Sequence, residues 1–485
     1  MTKFHILVFG CQMNYADSAR IRAVLTNCWF QYVDNFFDAD IVVFDTCSVR
    51  QKSEDKITWK LKEIWKTKKI WITWCMIQHN LRSSKLTSEI SNSGMKVWNF
   101  LGSVKSNDPE IIGLTTDEVN KFNFRSGSTY CFINNAFNPL FFNLKKKRKN
   151  IELFFRIDDT WLLPLMLEKV WYRISYDKEI INEYSEIIPE WINTSMNNHR
   201  KTAYIPISTG CNQFCSYCIV PYARWFEKHL SIEHILQEAK KYLESGIEEI
   251  VLIGQIVNKH PGFVNIIKEL LKLKWLRWLR YTSPYPSYYS DELLALHENE
   301  EKLCPHIHIP LQSGSDDILK KMARWYSSHQ AYEFINKIKS SSRKISITTD
   351  IIIWFSGETE DDFQKSMDLV DYWKFDMVYM WIYSPRPWTL AYRKYEDDIS
   401  YKLKHIRRKR MNELLKTISL GNNKLEIGNI RKAIIDSKNE ELYYGYTDNM
   451  KQITIRRKNS NINIWDFISV EITNGEAFRL NGGSL

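Results

Sequence analysis

Short apolar runs alternate with stretches of helical spacing along most of the chain, and this alternation predicts an α/β protein. At the amino end, Lys3–Phe9, Ile41–Phe44 and Ile70–Thr73 are apolar runs of strand length, and Asp17–Leu25 has the spacing of a helix. Residues 201 to about 400 repeat the alternation. That repetition predicts a parallel sheet in the form of a partial (β/α) barrel, with its site at the carboxyl ends of the strands.

In this second region the predicted elements follow one another in regular order. The predicted strands are Ala203–Ile207, Glu249–Ile253, His306–Leu311, Ile345–Ile353 and Met377–Tyr383, and the predicted helices are Val264–Leu273, Asp316–Met322 and Glu360–Tyr372.

The last part of the chain has a different pattern. Tyr401–Thr417 predicts a basic connecting helix, and the β-rich runs after it, separated by turns, predict a small antiparallel barrel. The stretch before the second region is aromatic and basic, and we interpret it as a spacer; an insertion that contacts nucleic acid is the alternative. The predicted domains are 1–115, an amino-terminal α/β domain; 116–200, a linker or insertion; 201–418, the partial barrel; and 421–485, the small β-barrel.

Composition limits where the protein works and what it binds. The 485 residues carry a formal net charge of +10 and nine cysteines. No run of about 18 apolar residues is present, so no membrane span is predicted. Cysteines in this number favour a reducing compartment and metal binding over disulfides, which predicts a cytoplasmic location. The positive charge favours an anionic partner, although a basic surface can also serve solubility alone.

Three cysteines stand close together just after the first strand predicted in the second region. Cys211, Cys215 and Cys218 have a C-x3-C-x2-C spacing, which lets three thiolates converge on one metal centre. Structural zinc takes four protein ligands, and no fourth Cys or His lies nearby in the sequence. An iron–sulfur cubane held by three thiolates would keep one iron open for a substrate or cofactor. Three buried thiols in an apolar turn are the alternative, against which the loop residues Gly210 and Asn212 argue.

A second set of cysteines follows the strands predicted at the amino end. Cys11, Cys47 and Cys75 each stand just beyond one of these strands. In an open α/β sheet the carboxyl ends of parallel strands face one crevice, so these thiols are predicted to meet in space. Three separate buried thiols are the alternative. The remaining cysteines, which we interpret as structural, are Cys28, Cys131 and Cys304.

The loop from Ser208 to Arg224 resembles the radical SAM enzymes. The resemblance implies a 4Fe–4S cluster on Cys211, Cys215 and Cys218, with S-adenosylmethionine on the open iron as the source of a 5′-deoxyadenosyl radical. These three cysteines are thus the predicted catalytic centre. The resemblance also implies that Tyr217 lies beside the adenine of S-adenosylmethionine.

Other segments are similar to the methylthiotransferases, a family within the radical SAM enzymes. The amino-terminal segments are Gly10–Ser18, Asp45–Arg50 and Thr73–Gln78. Their similarity implies a second 4Fe–4S cluster on Cys11, Cys47 and Cys75, which handles the transferred sulfur. By analogy with the family motifs in the second region, Gln255, Gln312 and Ser313 would line the S-adenosylmethionine and substrate pocket, and ordinary turn chemistry is the alternative for each.

The carboxyl-terminal runs resemble the TRAM domain, an RNA-binding module. The resemblance implies that Arg456, Arg457 and Lys458 meet phosphates and that aromatic residues such as Tyr443 and Tyr444 stack on bases. A solvated charged strand with core tyrosines is an equally good interpretation for any one of these residues.

Two segments narrow the resemblance to one branch of the methylthiotransferases. Gly254–Asn258 and Val220–Arg224 look most like the branch that modifies N6-isopentenyladenosine just 3′ of the tRNA anticodon. This implies a methylthio group at C2, the anticodon stem-loop as partner, an electron donor of the flavodoxin or ferredoxin type, and a monomer. Sister branches act on threonylcarbamoyladenosine in tRNA or on an aspartate of a ribosomal protein. A non-catalytic Fe–S RNA-binding protein is the remaining alternative.

Glycine and tryptophan are present in unusual numbers. Average usage predicts about 34 glycines, whereas the chain has 17 glycines and 18 tryptophans. Divergence in a degenerate copy is one interpretation. The hypothesis we favour is that the gene reads the opal codon UGA as glycine, and that the translation used a table assigning UGA to tryptophan. The positions where the similar family has glycine are Trp74, Trp225, Trp325, Trp354 and Trp388, and Trp29 and Trp465 fall at similar turns.

Overall fold

A computed structural model of the chain divides it into two compact units. One contains Met1–Met196 and Cys218–Phe226, and the other contains Asn197–Tyr217 and Glu227–Leu485. No helix among the described residues combines the length and the apolar character needed to cross a membrane. The structure describes residues 1–10, 12–46, 51–64, 67–74, 151–155, 160, 163–169, 172, 201–224, 226–386, 389–456 and 462–484.

The first unit contains a parallel sheet of five strands in the order β2-β1-β3-β4-β5. The three strands predicted at the amino end are confirmed. The predicted linker, 116–200, is corrected in part, because its residues Ile151–Phe155 form the fifth strand and pair with the fourth. The strands are β1 (Lys3–Val8), β2 (Gln31–Tyr32), β3 (Ile41–Thr46), β4 (Lys69–Trp74) and β5 (Ile151–Phe155), and the helices are Gln12–Asn27, Gln51–Ile64 and Leu163–Lys169.

Helices pack on both faces of this sheet, which explains why its strands are apolar runs without alternation. Along β3, Ile41 and Val43 belong to one core with Phe4 and Ile21. The intervening Val42 and Phe44 belong to a second core with Ile57 and Leu61, on the helix Gln51–Ile64. Both faces of the strand are therefore removed from water.

The second unit begins with six parallel strands that follow one another in chain order. They form two three-stranded sheets, β6-β9-β10 and β11-β12-β13, and a bridge between Leu279 and Leu303 brings the start of β11 beside β10. This is the predicted partial barrel. The strands are β6 (Thr202–Pro206), β7 (Ser208–Thr209), β8 (Lys228–His229), β9 (Glu249–Ile253), β10 (Trp278–Tyr281), β11 (His306–Gln312), β12 (Ser346–Ile353) and β13 (Met377–Ile382), with β7 and β8 forming a separate ladder.

Two helices of this unit begin at a capping box. Ser327 and Thr359 each form a capping box, in which the side chain of the third helical residue bonds back to the cap. Four of the helices are additional to those predicted. The helices are Ile232–Glu244, Phe263–Leu271, Asp291–Asn299, Asp316–Lys321, Ser328–Lys339, Glu360–Trp373, Leu390–Lys394 and Tyr401–Lys424; a short helix, Val220–Ala223, belongs to the first unit.

The carboxyl-terminal strands close into a small barrel in the order β14-β15-β16-β18-β17. The predicted small barrel is confirmed, but it is not antiparallel throughout, because its last strand closes it by parallel pairing with β16. The long helix Tyr401–Lys424 extends seven residues past its predicted end. The strands are β14 (Ile430–Lys438), β15 (Leu442–Thr447), β16 (Gln452–Arg456), β17 (Phe467–Glu476) and β18 (Arg479–Ser484).

The small barrel packs against the amino-terminal ends of the parallel strands. Glu249, the first residue of β9, accepts hydrogen bonds from Arg280 Nε (2.7 Å) and from the Tyr446 hydroxyl (2.7 Å). Trp278, the first residue of β10, meets the ring of Phe467 edge to face at 4.9 Å. Glu249 and Arg280 form a buried ion pair, and Tyr446 of the small barrel bonds to the same carboxylate. This contact holds the small barrel at the amino-terminal ends of the strands, away from their carboxyl ends.

Candidate active site

The loop with the three clustered cysteines begins at the carboxyl end of β6, as predicted. The Ile207 N–H donates to Ile253 O at the end of β9 (2.9 Å), which holds the start of the loop against the sheet. The short ladder of β7 and β8 then pairs Ser208 with His229. Gly210 has a φ of 75°, so the chain turns into the cysteine segment through a conformation that favours glycine.

The thiols of Cys211 and Cys215 accept hydrogen bonds from N–H groups. The backbone N–H of Gln213 donates to Cys211 Sγ (3.5 Å), and Arg324 Nη1 donates to Cys215 Sγ (3.6 Å). Burial raises the pKa of the Cys211 thiol to about 11, so this thiol keeps its proton at neutral pH until a metal displaces it. Donors aimed at sulfur are the surroundings that thiolate ligands of iron–sulfur clusters use. These donors suit thiolate ligands, but no three His, Cys, Asp or Glu side chains among the described residues converge on one metal position, so the cluster on Cys211, Cys215 and Cys218 stays a prediction.

Tyr217 lies at the carboxyl ends of β12 and β13. Its ring meets Phe355 edge to face at 6.5 Å, and it packs against a core that includes Tyr383 and Ile352. The role of Tyr217 beside an adenine stays a prediction. Its position just past the strand ends is where a barrel of this kind binds its ligands.

The three polar residues predicted to line the pocket differ in their surroundings. Gln255 follows β9, and its Oε1 is buried with no hydrogen-bond partner among the described residues. Gln312 ends β11 with a φ of 74°. Ser313, by contrast, uses its hydroxyl inside the turn, where it bonds to Ser366 (3.3 Å) and accepts the Ser315 N–H (3.2 Å). Gln255 thus has the free acceptor that a ligand could satisfy, whereas the contacts of Ser313 are those of turn chemistry.

A second polar cluster inside the partial barrel was not predicted. His308 Nε2 lies 3.1 Å from Asp350 Oδ2, and Trp381 Nε1 donates to Asp350 Oδ1 (2.7 Å). These side chains stand on β11, β12 and β13, and Ile307 and Ile309 on the alternate positions of β11 are fully buried. Polar residues at every second position of an otherwise apolar strand are the signal that could have revealed this inner face.

The strands that precede the other three cysteines end side by side. Cys11, Cys47 and Cys75 themselves lie outside the described residues. Thr46, just before Cys47, pairs with Trp74, just before Cys75, and the Phe9 N–H donates to Asp45 O (2.8 Å) across β1 and β3. The backbone therefore supports the prediction that three neighbouring strand ends lead into this cysteine set.

A buried polar network lies beneath those strand ends. Asp45 accepts hydrogen bonds from Asn14 Nδ2 (2.9 Å) and Ser18 Oγ (2.7 Å). Arg224 Nη2 forms a buried ion pair with Asp17 at 2.9 Å. Burial, and then the neighbouring Asp17 carboxylate, raise the pKa of Asp45 well above its usual value. Because Arg224 follows Cys218 in the same unit, the ion pair ties the end of the clustered-cysteine loop to the helix that follows β1.

Comparison with known proteins gives two family matches. The profile of the radical SAM superfamily matches residues 205–370, and that of the uncharacterized protein family UPF0004 matches residues 3–94. A tRNA-2-methylthio-N(6)-dimethylallyladenosine synthase of Thermoanaerobacter sp. (strain X514) is 30% identical over 440 residues, covering 89% of this chain and 82% of that protein.

The chain belongs to the family of tRNA-2-methylthio-N(6)-dimethylallyladenosine synthases. Another synthase with that name, from Finegoldia magna, is 28% identical and covers 99% of this chain and 94% of its own length. The protein is accordingly a radical SAM enzyme, for which a 4Fe–4S cluster and S-adenosylmethionine are the cofactors. Among solved structures, the radical S-adenosylmethionine methyltransferase TsrM of Kitasatospora setae with tryptophan and aza-SAM bound has a TM-score of 0.47 at 11% identity, over 81% of this chain and 75% of that one.

The structure places the residues predicted to bind RNA in different surroundings. Arg456 is exposed at the end of β16, and Arg457 and Lys458 lie outside the described residues. Tyr443 is only 1% exposed and belongs to the core of the small barrel. The suggestion that Tyr443 stacks on a base is therefore wrong, because its ring is covered by the barrel's own strands. Tyr444, on the opposite face of β15, is half-buried and stays a candidate.

Proposed function

We propose that this synthase replaces the C2 hydrogen of N6-isopentenyladenosine, just 3′ of the tRNA anticodon, with a methylthio group. The names of its relatives give 2-methylthio-N(6)-dimethylallyladenosine in tRNA as the product of their reaction. The observation that carries the proposal is the pair of cysteine sets, one in the loop after β6 and one approached by the level ends of β1, β3 and β4. A single-stranded anticodon loop presents splayed bases, so the target base reaches a pocket without duplex melting.

The loop after β6 would hold the first cluster through Cys211, Cys215 and Cys218. That cluster and S-adenosylmethionine supply a radical able to take a hydrogen atom from an aromatic C–H bond that no side-chain base could deprotonate. Arg324 and the Gln213 N–H orient the thiolates by hydrogen bonds to sulfur. Gln255 offers its unpaired Oε1 to the ligand. The rings of Tyr217 and Phe355, which meet edge to face, would cover part of the same end of the barrel.

Cys11, Cys47 and Cys75 would hold a second 4Fe–4S cluster that carries the transferred sulfur. In this proposal one S-adenosylmethionine donates the methyl group, and a second is the radical source. The electron donor would be a flavodoxin or ferredoxin, and the protein would work as a monomer in the cytoplasm, which suits its free cysteines.

The proposed reaction is tested by nucleoside mass spectrometry of tRNA from strains with and without the gene. We expect 2-methylthio-N6-isopentenyladenosine only when the gene is present. A methylthio derivative of threonylcarbamoyladenosine, or of a ribosomal aspartate, would move the protein to a sister branch. A purified, iron-loaded protein that binds RNA without cleaving S-adenosylmethionine would make it a non-catalytic binder.

Changing Arg324 to Gln is expected to lower the reduction potential of the first cluster. The guanidinium donates to Cys215 Sγ and lies 4.5 Å from the ring centre of Tyr285, so its charge is held near the sulfur. Hydrogen bonds to cluster sulfurs and nearby positive charge stabilise the reduced form. Potentiometric titration followed by electron paramagnetic resonance measures the shift. Arg324→Lys, which keeps the charge, should shift the potential less, and an unchanged potential in Arg324→Gln would remove this role.

Replacing Arg456, Arg457 and Lys458 together with Ala is expected to weaken tRNA binding and to reduce its dependence on salt. For each phosphate that is no longer neutralised, the slope of log K against log salt falls by about 0.7–0.9. Binding is measured by filter retention at several salt concentrations, and cleavage of S-adenosylmethionine in the absence of tRNA should be unchanged. If the triple variant binds tRNA like the parent at every salt concentration, these residues have no RNA role.

A further inference from the structure

The long helix Tyr401–Lys424 carries a run of basic residues whose charges divide between two faces. On the inner face Lys404 pairs with Asp397 at 2.6 Å, and Arg407 pairs with Glu358 at 3.1 Å and with Glu360 at 2.9 Å. Both cations are buried. These charges are neutralised within the protein, so they hold the helix in place and are closed to an external partner.

A second set of cations lies on the outer face of the same helix. The side chains of Lys402, Lys409 and Lys416 are exposed, and none of the three ammonium groups forms an ion pair or hydrogen bond with a described residue. They are seven residues apart, which is close to two helical turns, so they form one stripe with steps of about 10 Å. Met411 and Leu415 on the opposite side are buried. We name these three residues the lysine stripe.

The helix runs from the cluster end of the partial barrel to the small β-barrel. Near its beginning, Arg407 bonds to Glu358, which lies just past the carboxyl end of β12. Near its end, Asn422 Nδ2 donates to Lys374 O (2.8 Å), just before β13, and Asn423 Nδ2 donates to Glu476 O (2.7 Å) of the small barrel. The lysine stripe therefore extends about 21 Å along the second unit, between its two functional ends.

We propose that the lysine stripe binds backbone phosphates of the tRNA and guides it from the small barrel to the cluster end. The proposal rests on the proposed function, which supplies the polyanionic substrate. Three exposed ammonium groups without intramolecular partners lose little when they bind phosphates, and the release of condensed counterions favours the complex. Lysine is a flexible point charge, which suits contacts that position a nucleic acid without reading its sequence.

The test replaces the three residues together as Lys402→Gln, Lys409→Gln and Lys416→Gln in the full chain. Glutamine keeps the helix propensity and removes only the charge. Binding of a tRNA that carries isopentenyladenosine is measured across a range of salt concentrations. We expect the slope of log K against log salt to fall by about 2–3, because three phosphates are no longer neutralised, and the affinity at low salt to fall at least tenfold.

A matched control removes the same charge elsewhere. Lys240, Lys320 and Lys339 are exposed lysines on three other helices, and none has an ion-pair partner among the described residues. Their triple replacement by Gln should leave the slope near that of the parent protein. Equal salt slopes for the two triple variants would contradict phosphate binding by the lysine stripe. The stripe would then be an ordinary solvated face of the helix.

Failure of the stripe and failure of the proposed function give different results. If the parent protein makes the methylthio nucleoside and the stripe variant has the parent's salt slope, only the stripe is wrong. If the parent protein neither binds nor modifies this tRNA, the function itself is wrong. Cleavage of S-adenosylmethionine without tRNA should be equal in the parent and the stripe variant, and a loss of cleavage in the variant would contradict a role limited to phosphate binding.

Discussion

Replacing Cys215 with Ala is expected to abolish the reductive cleavage of S-adenosylmethionine. The loop offers three thiols, so the loss of one leaves too few ligands for a stable cubane. In the folded chain Cys215 also accepts the Arg324 hydrogen bond, which the variant would leave without its acceptor. Chromatographic assay of 5′-deoxyadenosine after anaerobic reconstitution measures the loss, and Cys211→Ala and Cys218→Ala should behave alike.

The same assay on Cys47→Ala is expected to give the opposite pattern. Cleavage of S-adenosylmethionine should continue, because the loop after β6 is intact, but no methylthio nucleoside should form. Iron content should fall from about eight to about four per chain in this variant. Cys304→Ala is the control, since Cys304 is 2% exposed and packs with Trp278, and it should keep both activities. Methylthio product from Cys47→Ala would show that the second cluster is assigned wrongly.

Replacing Trp354 with Gly is expected to change the stability of the protein little. Trp354 follows β12 with a φ of 65° and is fully buried. Its indole N–H has no hydrogen-bond partner among the described residues. A bulky residue in this conformation costs about 1–3 kcal/mol, and an unpaired buried donor costs a similar amount. Glycine removes both costs but leaves the volume of a fully buried indole unfilled, which by itself costs about 3–5 kcal/mol or more. The opposing contributions largely cancel, so we expect the midpoint of thermal unfolding to move by only about 2–4 °C for each kcal/mol of the net difference.

Trp29 repeats this pattern at the end of a helix. The helix Gln12–Asn27 ends in a Schellman motif, in which the Phe30 N–H donates to Leu25 O (3.1 Å) and the Trp29 N–H donates to Thr26 O (3.1 Å). Trp29 occupies the position just past the cap, has a φ of 65°, and is 66% exposed. Glycine is the usual residue at that position because it has no Cβ to clash. The backbone at residue 29 therefore has a conformation that glycine adopts without strain.

Tryptophan is the most frequent residue type among the strained positions. Of the ten described residues other than glycine with positive φ, three are tryptophan: Trp29, Trp354 and Trp465. Nothing in the chemistry of an indole favours that conformation. The glycine count of 17 falls short of the usual number by about as many residues as the 18 tryptophans could supply. A gene that reads UGA as glycine accounts for both facts.

The nucleotide sequence and a control substitution decide this hypothesis. UGA codons are expected at positions 29, 354 and 465, and UGG codons there would contradict the hypothesis. Trp278 has an ordinary strand conformation and packs on Phe467, so UGG is expected at 278. For the same reason Trp278→Gly should destabilise the protein by about 3–5 kcal/mol or more. A melting temperature that falls in Trp354→Gly as it does in Trp278→Gly would mean that residue 354 is a native tryptophan.

The sequence predicts best those elements whose formation depends only on a short stretch of residues. Glu249–Ile253 has the predicted bounds, because an apolar run ended by turn residues needs no information from elsewhere in the chain. The place of Cys211, Cys215 and Cys218 after β6 also follows from local spacing. The level ends of β3 and β4 follow from two runs of similar length in a parallel sheet.

Contacts between distant segments of the chain decided the features that short stretches of sequence do not specify. β5 joins the amino-terminal sheet across a long stretch of chain, and its composition alone resembled a spacer. Tyr443 and Tyr444 are neighbours of one residue type, and only the closure of the barrel decides that the first is core. Arg224 reads as the end of a motif, yet its partner is Asp17, more than two hundred residues earlier.

The sequence by itself determined the place of the clustered-cysteine loop after β6 and the alternation of strands and helices, because ligand spacing and apolar periodicity are local properties. Tertiary structure alone decided which charges remain available. Lys402 and Arg407 belong to one basic helix, but Arg407 is neutralised by Glu358 and Glu360, and Lys402 faces solvent. The side of a helix that meets a neighbour depends on packing across the whole unit, and no window of the chain contains that information.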